Sequence, residues 1–215
     1  MADIFQEVDE DLRRDKALAF WKKYQNHILT FVILVIAVTA GVSGWRYYRQ
    51  QQMEANATAY LKAMQAFEQD PKAAAPQFDA LAQGGGGFAD LARFQQANLA
   101  LKDGDKAKAA GIFQGIAADA SVDKAMKDMA AILGGLVLLD LGKPDDAAKL
   151  VAGLTGDNEA YRFSALEIQG QAALASGDKA KAKAIFTQLK QLGSLPSAPQ
   201  GVIGRANIML ERLQD

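Results

Sequence analysis

A short pattern built on glycine occurs three times between residues 103 and 186 of this chain, and it limits the fold more than any other feature. The segments DGDKAKAAGIF, LGKPDDAAKLV and SGDKAKAKAIF all carry glycine at their second position. The three glycines are 38 and 35 residues apart, at Gly104, Gly142 and Gly177. A period of this length is typical of a stack of one repeated supersecondary unit.

Each copy predicts a helix A, a tight turn and a helix B. The glycine closes helix A because it adopts positive φ without steric cost. A small residue precedes it by seven positions, an alanine follows by five, and a large apolar residue follows by nine. We expect the small residue to face the alanine, and the large residue to fill the gap to the next hairpin. In chain order these positions are Ala97, Gly135 and Gly170; Ala109, Ala147 and Ala182; and Phe113, Val151 and Phe186.

Three further segments extend the predicted stack. Thirty-five residues before the first clear copy, Ala74 and Phe78 mark a degenerate copy with Gln69 in place of the glycine. Four glycines at residues 84–87 predict a flexible joint after this copy. A turn-rich linker at residues 193–201 then leads to a last helix, residues 200–213, which is expected to cap the stack.

The repeat pattern resembles the tetratricopeptide repeat (TPR). The small residue of helix A, the turn glycine, and the alanine and aromatic residue of helix B all match that motif. Other motif positions diverge. Its tryptophan position holds Arg93, Ala131 and Leu166; its second alanine position holds Ile116, Leu154 and Leu189; its closing proline position holds Ser121, Glu159 and Ser194.

An uncharged stretch of 22 residues separates Lys23 from Arg46. As a helix it would be roughly 33 Å long, which matches the ~30 Å apolar thickness of a bilayer. The stretch lacks the charged face of a helix that lies on a membrane surface. The sequence therefore predicts a transmembrane helix, while a cleaved signal peptide and a buried core helix remain as alternatives. Aromatic residues of the kind found at membrane interfaces flank it: Trp21, Tyr24, Trp45, Tyr47 and Tyr48.

The basic residues around this stretch are distributed unequally, and this predicts its orientation. Five lie within about 15 residues on the N-terminal side and two on the other side. This excess places the N-terminus in the cytoplasm and the large C-terminal part outside. The preceding segment has Phe5, Val8 and Leu12 on one helical face. It is interpreted as a helix leading into the membrane, and a docking site for a cytoplasmic partner is the alternative.

Composition argues against catalysis. The chain contains no cysteine and one histidine, His27, which lies beside the apolar stretch. Thiol chemistry, nucleophile–histidine pairs and histidine-based metal sites are therefore not expected after residue 46. The formal net charge of −1 gives no reason to expect nucleic acid as a partner. The sequence predicts a non-enzymatic protein without cofactor, metal or small-molecule substrate.

A stack of hairpins offers one surface for partners, the concave face lined by the A helices. The repeat register places four residues on this face as predicted partner contacts: Phe94, Asn98, Glu167 and Gln171.

Three features together resemble the YfgM family, the ancillary SecYEG translocon subunits of Gram-negative bacteria. They are the N-terminal DIFQEVDEDLRRDK, the GWRYY that ends the apolar stretch, and the divergent repeats. The resemblance covers nearly the whole chain and is greatest to the alphaproteobacterial branch. It implies a single-pass protein of the bacterial inner membrane whose periplasmic domain associates with Sec translocon subunits and periplasmic chaperones, and which assists exported client proteins.

The complete prediction is an all-α fold: one N-terminal transmembrane helix followed by a TPR-like stack of helical hairpins, an α-solenoid. Residues 1–23 form the cytoplasmic segment and residues 24–46 the transmembrane helix. Residues 47–215 form a periplasmic domain of about four repeats with a capping helix. The alternative function is a TPR scaffold for another envelope assembly, such as outer-membrane biogenesis or division machinery.

Overall fold

The computed structural model describes the backbone of residues 2–213 and the side chains of residues 14, 16, 18–27 and 29–213. This part of the chain is helical without strands, which confirms the predicted all-α fold. A 3-10 turn (Ala152–Leu154) lies between α6 and α7. The helices are α1 (Ala2–Gln69), α2 (Pro71–Ala82), α3 (Gly87–Lys102), α4 (Lys106–Ala118), α5 (Lys124–Asp140), α6 (Pro144–Leu150), α7 (Arg162–Ala175), α8 (Lys179–Leu192) and α9 (Gln200–Arg212).

The chain divides into two units, Met1–Ala55 and Asn56–Asp215. Among the described residues, one helix, α1, is long and apolar enough to cross a membrane. Its apolar side chains, such as Phe31 and Ile36, are exposed, unlike those of a buried core helix. The predicted boundaries at residues 23 and 46 lie within α1 and stay predictions. The side chains of Phe5, Val8 and Leu12, predicted to share a face, lie outside the described residues.

Over residues 56–213, the second unit is a stack of four hairpins, and the predicted helix pairs are confirmed. In hairpin 1, residues 56–69 of α1 pair with α2, where the rings of Tyr60 and Phe67 lie 6.0 Å and 6.1 Å from that of Phe78. The next three pairs are α3 with α4, α5 with α6, and α7 with α8. In hairpins 2 to 4 the first partner is helix A and the second is helix B. The last helix, α9, packs against α7 and α8, as expected of a cap.

The turns inside the hairpins follow the predicted glycine chemistry. Gly104, Gly142 and Gly177 have φ angles of 80°, 68° and 83°, which side chains other than glycine rarely adopt. The aspartate after two of these glycines then begins helix B. The carboxylates of Asp105 and Asp178 each accept a hydrogen bond of 2.9 Å from a backbone N–H three residues later. The repeated letters DGDK and SGDK therefore encode a helix stop followed by a helix start.

The contact between the two helices of a hairpin differs from the prediction. The atoms nearest to a Cβ built on Gly170 belong to the ring of Phe186, with Cζ 2.7 Å away, and not to Ala182. A Cβ on Gly135 would likewise lie 3.1 Å from Cγ1 of Val151. The small residue of helix A thus makes room for the large apolar residue of its own helix B. The side chains of Phe and Val extend further from the backbone than that of alanine, so they fill the space beside the glycine of helix A.

The buried apolar residues form three clusters along the stack. The N-terminal cluster joins hairpin 1 to α3 through Ala63, Ala74, Phe78, Ala92 and Leu99. The central cluster lies around Phe113 and Val151 in hairpins 2 and 3 and reaches Ile168 on α7. The C-terminal cluster lies around Phe186 and includes buried residues of α9. Each hairpin therefore completes its core only with a neighbour, as expected of a repeat stack.

An ionic network surrounds Arg93, which stands at the tryptophan position of the TPR motif. Its Nη1 lies 2.9 Å from Oδ2 of Asp119 and 3.6 Å from Oδ1 of Asp90. Ser121 also donates two hydrogen bonds to Asp119, from its hydroxyl at 2.7 Å and its backbone N–H at 3.0 Å. Hydrogen bonds from Ser121, and then from Arg93, lower the pKa of Asp119 to about 2. Burial raises the pKa of Asp90.

We expect Asp119→Asn to lower the free energy of unfolding at pH 7 but to have little effect at pH 2. The carboxyl of an unfolded chain titrates near pH ~4. Because the folded pKa is lower, the unfolded state binds more protons between these values. The stabilisation is complete above pH ~4 and is lost as the pH falls towards about 2. Urea denaturation of both chains in detergent, between pH 2 and 7, measures the difference. A difference that does not change with pH would contradict this assignment.

Candidate protein-interaction groove

A groove of about 320 Å³ lies on the side of the stack where α5, α7 and α9 meet. Its lining comes from the helix A positions of two successive hairpins and from the capping helix. Apolar side chains come mainly from α5, and polar side chains from α7 and α9. The lining residues are Ile132, Leu136, Ser164, Glu167, Ile168, Gln171 and Arg205.

Close packing behind the groove fixes the positions of α5 and α7. A Cβ on Gly134 would lie 3.0 Å from Cβ of Phe113 and 3.0 Å from Cδ2 of Leu150, so α5 lies tightly against its neighbours α4 and α6. Gly170 similarly brings α7 against Phe186 of α8. Each A helix is thus drawn towards the B helices, and its opposite face stays free to line the groove.

An ion pair joins α7 to α9 at one side of the groove. Arg205 donates two hydrogen bonds to Glu167, from Nε to Oε1 at 2.5 Å and from Nη2 to Oε2 at 2.8 Å. Glu167 is 7% exposed, whereas the Arg205 side chain is 55% exposed. The hydrogen bonds with Glu167 raise the pKa of Arg205. The two opposite charges are the ionisable groups of the lining and balance each other.

The rest of the lining can accept uncharged groups of a partner. Leu136 is 44% exposed, and Ile132 and Ile168 lie buried beside it. Gln171 and Ser164 add an amide and a hydroxyl, both suited to hydrogen bonds with peptide groups. Among the described residues, no group of three His, Cys, Asp or Glu side chains is placed to hold a metal ion. The surface offers contact and hydrogen bonding without an evident reactive group.

The arrangement of hairpins and groove has a match among known protein families. Residues 18–195 match the family model of the tetratricopeptide repeat-like domain. The chain belongs to this family. The match extends over most of the chain and includes all four hairpins of the TPR-like stack.

Two similar proteins cover almost the same length as this TPR-like chain. One, from Aggregatibacter actinomycetemcomitans, is 26% identical over 189 residues, which are 86% of this chain and 90% of the relative. The other, from Haemophilus influenzae, is 27% identical over 194 residues, 87% of this chain and 91% of the relative. Both carry the name ancillary SecYEG translocon subunit. The predicted membership of the YfgM family is confirmed, and the alphaproteobacterial affiliation stays a prediction.

The four predicted contact residues of the TPR-like stack lie in different surroundings. Glu167 and Gln171 line the groove together, with the Gln171 amide 3.5 Å from Oε1 of Glu167. Phe94 is 6% exposed, and its ring lies 5.9 Å from that of Phe113 in the central cluster. Asn98 is exposed outside this groove, where its Nδ2 donates a hydrogen bond of 3.2 Å to Gln95. A role in partner binding stays a prediction for all four.

Sequence reasoning missed Ile132, Leu136 and Arg205, which supply the apolar contact and the positive charge of the lining. Ile132 and Leu136 lie 35 residues before Glu167 and Gln171, the spacing between Gly142 and Gly177. The same register, applied to the middle copy, would have found both. Arg205 carries no such signal, because the linker before α9 changes the spacing and α9 has no helix B of its own.

Proposed function

We propose that this protein is a membrane-anchored, non-enzymatic interaction module that associates with the Sec translocon and periplasmic chaperones. In this role it assists the transfer or folding of exported proteins. The observation that carries the proposal is the open groove of a TPR-like stack, in which Leu136 is half-exposed beside a self-neutralised ion pair. The names of the two relatives support the Sec translocon as the place where this groove works.

The proposed anchor is the apolar part of α1. Its length, exposed apolar side chains and flanking aromatic residues suit a single membrane span. The excess of basic residues before it supports an N-terminus in the cytoplasm and a periplasmic C-terminal domain. A protein of this topology in the bacterial inner membrane would hold the groove on the side where exported chains emerge.

The groove suits contact with polypeptide better than catalysis. A bound apolar side chain would cover Leu136 and remove its surface from water, which is the main favourable term in most protein associations. The hydrogen-bonding groups of Gln171 and Ser164 would orient the bound segment. Because Glu167 is already paired with Arg205, a partner does not have to neutralise a buried charge.

Site-specific crosslinking in native membranes tests this proposal. A photoreactive amino acid at Leu136 is expected to capture a Sec subunit, a periplasmic chaperone or an exported client. The same amino acid at Lys183, exposed on the helix B α8, is the matched control and should capture far less. Asn98 gives a second position, since it is exposed on the helix A α3.

Two results would overturn the proposal. The first is that neither Leu136 nor Asn98 captures a Sec subunit, chaperone or client while the protein is present at its normal level. The second is that both capture proteins of outer-membrane biogenesis or division machinery, which would identify a scaffold for another envelope assembly. Cell fractionation also tests the anchor. An anchored chain is expected in the membrane fraction at its full length, whereas cleavage of a signal peptide would shorten the chain and release it from the membrane.

A further inference from the structure

The connection between α2 and α3 contains more glycine than its geometry requires. Residues 84–87 are all glycine, whereas the turns at Gly104, Gly142 and Gly177 use one each. In the tetraglycine segment, positive φ occurs at Gly86, with a value of 84°. A Cβ built on Gly85 or Gly87 would meet no heavy atom within 4 Å. Alanine would therefore fit at Gly85 and Gly87 without strain.

Glycine at such positions has an energetic disadvantage in a segment with one fixed conformation. It loses more conformational freedom on ordering than any other residue, so alanine is the more stabilising choice where the backbone permits it. In a segment that exchanges between an ordered and an open conformation, the conformational entropy of glycine stabilises the open conformation. Glycine is then an advantage. Glycine at Gly85 and Gly87 therefore favours a connection that can open over one that is fixed.

The contacts across this connection suit a reversible opening. Hairpin 1 shares the N-terminal cluster with α3, which contributes two of its five buried residues, Ala92 and Leu99. Most polar contacts between hairpin 1 and the next hairpin involve solvent-accessible side chains. Gln96 donates a hydrogen bond of 2.7 Å to Asp79, Nζ of Lys102 lies 4.2 Å from the centre of the Phe67 ring, and Lys72 forms an ion pair of 3.6 Å with Asp103. A part-buried hydrogen bond of 3.3 Å from Gln95 to Tyr60, whose ring lies 5.9 Å from that of Phe88, adds to these contacts. Exposed ion pairs such as that of Lys72 and Asp103 add little stability. The central cluster, by contrast, unites hairpins 2 and 3 through many fully buried residues.

We propose that the tetraglycine segment is a hinge about which hairpin 1 opens away from α3 as a unit. Opening would expose the apolar surface formed by Phe78 on α2 and by Ala92 and Leu99 on α3. The groove would stay assembled, because α5, α7 and α9 belong to the central and C-terminal clusters. The shape of the groove would then stay the same while hairpin 1 moves.

Thiol labelling of single-cysteine variants measures this opening directly, because the natural chain has no cysteine. Ala92 on α3 and Ala147 on α6 are both fully buried alanines, and cysteine is a small apolar replacement for each. In the full chain in detergent, we expect Ala92→Cys to react with a thiol reagent about tenfold or more faster than Ala147→Cys. Local opening exposes the first thiol, whereas the second needs the central cluster to unfold.

Substitution of the glycines tests whether the movement occurs at the proposed hinge. Gly85→Ala and Gly87→Ala, added to Ala92→Cys, should each slow labelling about two- to fivefold, because they reduce the freedom gained on opening. Labelling of Ala147→Cys should slow by no more than the same factor, because unfolding of the central cluster also frees this connection. Gly111→Ala is the matched control, since Gly111 also has open space around its Cβ but lies within α4, which stays folded when hairpin 1 opens; it should leave the labelling of Ala92→Cys unchanged.

Equal labelling rates for Ala92→Cys and Ala147→Cys would overturn the hinge. So would labelling of Ala92→Cys that the two hinge substitutions leave unchanged. If Ala92→Cys does not fold, hydrogen exchange of the natural chain replaces it. Amides of α2 should then exchange faster than those of α4 and α5, and faster than in the Gly85→Ala, Gly87→Ala chain. Equal protection of α2 and α5 would contradict the proposal.

Discussion

Replacing Phe113 with alanine is expected to lower the free energy of unfolding by about 3 to 5 kcal/mol. Phe113 is 1% exposed and belongs to the central cluster, where it lies next to Phe94 and to Gly134 on α5. Alanine leaves a cavity that three neighbouring helices cannot fill, because α3, α4 and α5 are held in place by the turns between them. Most of the loss comes from the apolar surface that the ring no longer buries and from the lost contacts around the cavity.

Urea denaturation of the full chain in detergent, followed by circular dichroism, measures this loss. Leu195→Ala is the control, because Leu195 is an exposed large apolar residue in the linker before α9. Its substitution should change the free energy of unfolding by about 0.5 kcal/mol or less. A loss for Phe113→Ala no larger than that of the control would show that the central cluster does not hold the stack together.

Gly170→Val is expected to destabilise the chain by about 2 to 3 kcal/mol through overpacking. A Cβ at this position would lie 2.7 Å from Cζ and 2.8 Å from Cε1 of Phe186, shorter than any normal contact. The ring of Phe186 is fully buried in the C-terminal cluster, so it can turn only by displacing closely packed neighbours. Either α7 moves away from α8, or the ring leaves its preferred rotamer.

Gly111→Val separates this steric effect from the helix propensity of valine. Gly111 is also helical, but a Cβ there would meet no heavy atom within 4 Å. We expect this control to be near neutral or mildly stabilising, since valine is a better helix former than glycine. The cost of Gly170→Val should also fall when Phe186 is replaced by leucine in the same chain. Equal costs in both backgrounds would assign the effect to something other than this contact.

Much of the stack could be predicted from the spacing of a few residues. Gly104, Gly142 and Gly177 identified the turns because positive φ is a local demand that glycine meets best. Phe113 and Phe186 identified the core because one large apolar residue per helix B is needed to fill each hairpin. These signals are local in the sequence, so the helix pairs followed from them without knowledge of the tertiary contacts.

The partners of these residues were harder to predict. The repeat spacing does not show how far the side chain of Phe186 extends. Gly170 was therefore predicted to face Ala182, whereas the nearest side chain in the structure is that of Phe186. The repeat register places Phe94 on the concave face. Its ring instead lies in the core, where it is buried against the ring of Phe113. The pair Glu167–Arg205 depends on the path of the linker before α9, which no repeat spacing encodes.

The pairing of Glu167 with Arg205 also bears on the speed of association. A groove whose two charges cancel produces little electric field beyond its rim, so it cannot steer an approaching chain over long distances. Encounter then proceeds by ordinary diffusion, and added salt has little long-range attraction to screen. Such a groove would work equally well in dilute and in saline surroundings, and it would discriminate among passing chains by how long they stay bound.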